Sequence, residues 1–318
     1  MSDNRWVKLN GPLAVVAASV LWGTAGTAGA LAVLGGVDVE PVSLAAARLL
    51  MGGVLLAIFT GAPAAITLLT RRGPARVPML LAALAAAGYQ LAFFAAVTRT
   101  GVAIGTVVTI GSGPVFTGVL SWLINGTRPT ARWTAATAAA VAGSAVLIVG
   151  GNVEAGGQVV SGILFALLGG LLYAFYAIIA ARTIDSGVRS GVVMGAMFGG
   201  AGVVLLPVLL TSDFSWLGTS GGLATAVYLG CATTTLACFV YGIGLRSTPV
   251  ATAATLTLTE PAVAALLGVL VLGERLAGLS LAGLGLLAVA LVIVGLPERR
   301  SRPGREAVPI RERAESSV

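Results

Sequence analysis

Apolar stretches of roughly 17–25 residues, separated by short polar or turn-forming breaks, recur along the whole chain. Ten of them fall at about 12–34, 40–61, 77–97, 102–124, 132–150, 159–181, 190–211, 221–244, 249–272 and 278–296. Each is long enough to cross a hydrocarbon core of roughly 30 Å as a helix. Two breaks are very short, Thr98-Arg99-Thr100-Gly101 and Leu245-Arg246-Ser247-Thr248, and predict tight hairpins. The pattern predicts an all-α membrane protein with ten transmembrane helices. The first apolar run begins near Pro12 and is itself long enough to span, so no cleavable signal peptide is expected.

The same pattern repeats at about half the chain length. TRTGVAIGTVVTIGSGP, from Thr98 to Pro114, lies 147 residues before LRSTPVATAATLTLTEP, from Leu245 to Pro261. The offset runs without a gap to Gly126 and Gly273, so Pro114 matches Pro261 and Arg99 matches Arg246. Gly11 to Trp22 lies over Gly162 to Tyr173 at a nearby offset. Each half then holds five spans, and an odd number predicts that the second half enters the membrane inverted. The expected organisation is a cytoplasmic N-terminus (1–11), a first repeat (12–150), an inverted second repeat (159–296) and a disordered cytoplasmic tail (297–318). Inverted repeats with a site at their interface are a recurring transporter design, because alternating access needs two mirror-related gates.

Charge agrees with that topology. With the N-terminus in the cytoplasm, only Arg99 and Arg275 of the 19 basic residues fall outside, and Arg48 lies within a span. This is a strong positive-inside bias and predicts both termini in the cytoplasm of a cell (inner) membrane protein. The net charge of +7 therefore reports orientation and tail composition, and no nucleic-acid partner is expected. Charged residues make up 10% of the chain and mean hydropathy is +0.98, too little charge to cover a water-facing surface.

Catalysis finds no equipment. Histidine is absent, the one lysine (Lys8) precedes the first span, and Asp3, Asp38, Asp185 and Asp213 lie in termini or loops. That removes His-based triads, HExxH metal sites, Ser–Lys dyads and intramembrane aspartyl pairs. Cys231 and Cys238, seven apart in one span, read as small apolar residues on one helix face. No G-x-x-x-x-G-K-[ST] nucleotide loop is present, and no cofactor or metal is expected.

Only two charged side chains lie deep in the spans: Arg48, about eight residues into the second, and Glu260, about eleven into the ninth. A central charge costs roughly 2.5–3.5 kcal/mol on insertion scales, so each should face a cavity or the other. The plain alternative is an Arg48–Glu260 pair that fixes helix packing. The functional reading has them line a solute path, with Glu260 as a candidate proton site. Pro261, next to Glu260, is expected to free the carbonyl of Thr257, as Pro114 would that of Ile110; a simple packing kink is the alternative. Thr248, Thr252, Thr255 and Thr259 fall within roughly 60° on one helix face and suit a wet lumen, although such threonines also bond back to their own helix. Trp22, Tyr89, Gln90, Tyr173, Tyr176 and Tyr241 sit near span centres, where their polar atoms need partners; interior packing is the competing reading. Trp6, Trp122, Trp133 and Trp216 lie near span ends and read as interfacial anchors. Gly195 and Gly199 form a GxxxG packing seam.

The ten spans in two halves of five, the proline of the fourth span and Leu272-Gly273-Glu274-Arg275 resemble the EamA family of the drug/metabolite transporter superfamily. Leu21-Trp22-Gly23 and the arginine after Pro41, Arg48, are also similar, and the resemblance covers about residues 11–296. One departure is Asn125-Gly126-Thr127, where the family often keeps a glutamate. The resemblance implies export of amino acids, related metabolites or amphipathic compounds, often in exchange for protons. The function expected is thus a secondary transporter, an exporter of a small amino-acid-like or metabolite solute working by alternating access with protons as the candidate coupling ion. The alternatives are an uncoupled, channel-like facilitator and an exporter of drug-like amphipaths. The expected partners are that small-molecule solute, protons and the lipid bilayer.

Overall fold

Most helix boundaries fall at the breaks expected from the sequence. The computed structural model describes residues 4–126, 128–150, 158–273 and 275–296, with side chains except at 4–9 and 125. The expected tail (297–318) and the Trp6 side chain lie outside the described residues. The helices are α1 (Asn4–Leu34), α2 (Pro41–Thr70), α3 (Arg76–Thr100), α4 (Val102–Asn125), α5 (Ala131–Val149), α6 (Val159–Asp185), α7 (Ser190–Thr211), α8 (Ser220–Tyr228), α9 (Ala237–Leu245), α10 (Val250–Leu256), α11 (Thr259–Leu272) and α12 (Gly278–Gly295). A π-helical stretch, Leu229–Leu236, joins α8 to α9, so these three make one span; α10 and α11 make another. No strand occurs among the described residues, and ten helical segments are long and apolar enough to cross a membrane.

Packing crosses between the halves. α1 lies against α9 and α11 of the second half, while α6 lies against α3 and α4 of the first. α2 packs along α7, and α5 along α12. These main pairings map onto one another when the halves are exchanged. Small residues make the like-with-like pairs possible, since only close backbone approach gains dispersion energy where lipid is as apolar as leucine. A Cβ on Gly143 would stand 2.6 Å from Leu287 N, and one on Gly283 would stand 2.3 Å from Leu147 N. On α7, the Gly195–Gly199 seam packs against Ala57, Thr60 and Gly53 of α2.

Three local breaks depart from uniform helices. The second span does not end near residue 61; the helix bends at Gly61 (φ 117°, ψ 83°) and resumes to Thr70, with Pro63 two residues beyond the bend. In the eighth span, Thr234 Oγ1 donates to Leu229 O and Thr235 Oγ1 to Gly230 O, both at 3.0 Å and both five residues back, which supports the wide π turns. Thr235 also donates to Gly52 O of α2 at 2.9 Å. This widening separates the two cysteines: Cys231 is exposed and Cys238 buried, so they do not share a helix face as the spacing of seven suggested.

The third break is at Pro261. α10 ends at Leu256 and α11 restarts at Thr259, whereas α4 runs unbroken through Pro114. The carbonyl of Thr257 is not free as expected, because the Glu260 N–H donates to it at 2.9 Å. The proline removes one donor and the chain tightens locally to supply another.

Trp216 also departs from its expected place. It is 3% exposed and its indole N–H donates to Ser43 Oγ at 2.9 Å, tying the α7–α8 loop to the start of α2. Trp122, by contrast, is exposed, with the Arg128 guanidinium 5.7 Å from its ring.

Candidate functional site

The helices surround a partly open cavity of about 100 Å³ at mid-span. Its charged groups come one from each half. Arg48 projects from α2, where Gly52 one turn later lies so close to the π-helical stretch that a Cβ would stand 2.4 Å from Thr234 Cβ. Glu260 projects from the first turn of α11, placed there by the break that precedes Pro261. Among the described residues, no hydrogen bond or ion pair within 4.0 Å joins Arg48 to Glu260, and neither has another protein partner. They act on each other electrostatically across the cavity without touching.

Around these charges stand Trp22 from α1, Tyr89 and Gln90 from α3, and Tyr173 and Tyr176 from α6. The aromatic rings pack edge to face: Tyr173 and Tyr176 at 5.3 Å and 78°, Tyr89 and Tyr176 at 6.2 Å and 82°. Gly113, just before Pro114, lies beneath the Tyr173 ring, where a Cβ would come within 3.0 Å of Cδ1. Trp22 and Tyr173, matched by the repeat, both reach this cavity.

Other candidates lie elsewhere. Tyr241 stands behind the wall at 1% exposure, its hydroxyl 3.2 Å from that of Tyr173 and its ring 5.3 Å from Trp22. Thr252, Thr255 and Thr259 are not on the cavity wall. Thr255 is fully buried, 2.9 Å from the Thr137 hydroxyl on α5, and bonds back to Ala251 O at 3.1 Å. Thr255 therefore sits in a helix-packing seam, and the break at Thr257–Leu258 parts it from the face that carries Glu260. Pro261 is buried beside Glu260, and Pro114 lies within α4.

The wall also holds Thr257, singled out above only for its carbonyl, and residues the sequence reading passed over: Phe198, Thr109, Thr233 and Thr234. The run Thr233-Thr234-Thr235 in an apolar span was a usable signal, as was Thr109 within the repeated segment. Phe198 gave none. No group of three or more metal-ligating side chains occurs among the described residues.

Residues 9–149 and 160–296 each match the model of the EamA-like transporter family. The chain belongs to this family. The EamA-family chain is 38% identical over 270 residues to the uncharacterized transporter YwfM of Bacillus subtilis (strain 168), covering 83% of this chain and 86% of that one. Its fold is also that of a protein known from a crystal structure, with a TM-score of 0.73 and 22% identity over 90% of this chain and 98% of the other. With ten apolar helices, this member of a transporter family is a multi-pass membrane protein.

Proposed function

We propose that this EamA-family transporter exports a small amino-acid-like zwitterion or related metabolite across the cell membrane by alternating access, with Glu260 as the proton site. The observation that carries this reading is one cavity that holds a cation and an anion from opposite halves, neither with a protein partner. A zwitterion offers a carboxylate to Arg48 and an ammonium to Glu260. A polyanion such as a nucleotide sugar is disfavoured, because Arg48 is the one cationic side chain on the wall and Glu260 would repel it.

Both termini are placed in the cytoplasm, and the second half inverted, on the distribution of basic residues. Alternating access draws support from an asymmetry between counterparts. In α6, eight of the eleven residues from Ala174 to Ile184 are buried, against three of eleven from Gly23 to Val33 in α1. α6 is thus more enclosed than its counterpart α1 over this stretch, an asymmetry expected of a carrier in one of its two states.

The test is uptake of radiolabelled zwitterions by proteoliposomes, with and without an imposed pH gradient. Gradient-driven accumulation is the expected result. Equilibration that ignores the gradient would make the protein an uncoupled facilitator, and no uptake of any zwitterion would overturn the substrate class.

A further inference from the structure

Besides the charges, two buried wall residues stand out. Tyr176 is 6% exposed and Gln90 5%, both line the cavity, and neither the Tyr176 hydroxyl nor the Gln90 amide has a hydrogen-bond partner in the protein. Neither polar end is sealed away among the fully buried unpaired atoms. Polar groups this deep are normally satisfied, so their partner is expected inside the cavity.

Tyr176 is also the hub of the aromatic wall. Its ring meets Tyr89 at 6.2 Å, Tyr173 at 5.3 Å and Phe198 at 6.0 Å, all edge to face. Its neighbours therefore hold it on three sides. The cavity of about 100 Å³ suits a compact solute better than a bulky one.

We propose that Tyr176 and Gln90 form the specificity wall of the solute site, selecting a compact zwitterion with a polar side chain. This deepens the function proposed above and rests on it. With Arg48 and Glu260 engaging the charged groups, Tyr176 and Gln90 face the uncharged part. An apolar side chain would leave both unpaired, and a site built to hydrogen-bond rejects the analogue that cannot. An indole-bearing or drug-like amphipath would have to displace these packed rings.

The experiment measures inhibition of labelled serine uptake into proteoliposomes by unlabelled serine, alanine and tryptophan. Wild-type protein should prefer serine to alanine by about tenfold or more and bind tryptophan weakest of the three. Tyr176→Phe keeps the ring and its three contacts, so it should fold; it should cut the serine-over-alanine ratio about tenfold. Gln90→Leu should cut the same ratio. A merely structural role would change uptake of both solutes together and leave the ratio alone, and that result overturns the proposal. Equal inhibition by all three solutes in wild-type protein overturns it too while leaving zwitterion transport standing. Uptake of no zwitterion removes the reading beneath it as well.

Discussion

Replacing Gly53 with alanine puts a methyl group where α2 and α7 meet backbone to backbone. That Cβ would stand 2.3 Å from Phe198 O, 2.5 Å from Phe198 C and 2.8 Å from Gly199 N. Carbon-to-oxygen contacts normally begin at about 3.3 Å, so the helices must part by about 1 Å. The obstructing atoms are backbone and cannot rotate aside. A gap of that size forfeits about a quarter to a half of the dispersion attraction along the seam. Overpacking of this kind costs about 1–3 kcal/mol. Against backbone the upper part of that range applies, about 2–3 kcal/mol; the better helix propensity of alanine returns about 1 kcal/mol, leaving a net loss of about 1–2 kcal/mol. Gly26→Ala is the matched control, because a Cβ there meets nothing within 4 Å. Thermal unfolding of the purified proteins in one detergent reads the difference. Gly53→Ala should lower Tm by about 2–4 °C for each kcal/mol lost, and Gly26→Ala should hold or raise it. A Gly53→Ala protein as stable as wild type, or equal losses in both variants, would refute the packing argument.

Thr137→Val and Thr255→Val, singly and together, should show a coupling of about 0.6–1.7 kcal/mol in a double-mutant cycle of unfolding, since their hydroxyls lie 2.9 Å apart in the buried seam. Trp216→Phe should cost about 1–2 kcal/mol and speed proteolysis between α7 and α8, because Ser43 Oγ then loses its indole donor. Outside the spans, the Ser215 backbone N–H, at 2.9 Å, and the Ser215 hydroxyl hold the Asp213 carboxyl below the usual carboxylate range. A depressed value gives stability that is present above the ordinary aspartate range and lost as pH falls through the lower folded value. Trp216 fluorescence should therefore stay constant through the ordinary aspartate range and change only on further acidification, and Asp213→Asn should abolish that change.

The spans were legible because lipid imposes a single rule on sequence: a long apolar run that satisfies its own backbone. Arg48 and Glu260 were legible for the same reason, as deep charges need a cavity or a partner. Their lack of contact was not, because it depends on how α2 and α11 are spaced by neighbours far away in sequence. The threonine stripe misled because the 100° step assumed an unbroken helix, and the chain tightens at Thr257 before Pro261. The cysteines misled likewise, since the π-helical stretch between them changes the step. Phe198 looked like any apolar residue of α7; only the crossing of α2 over α7 brings it to the wall.

The central claim is that Arg48 and Glu260 meet the solute from opposite sides of one cavity without pairing with each other. Zwitterion transport by Arg48→Ala, Glu260→Gln and the double variant in proteoliposomes tests it most directly. The account predicts that each single change abolishes gradient-driven transport with the protein still inserted, and that the double variant is no better. Normal transport by Glu260→Gln across the pH range, or recovery in the double variant, would contradict it.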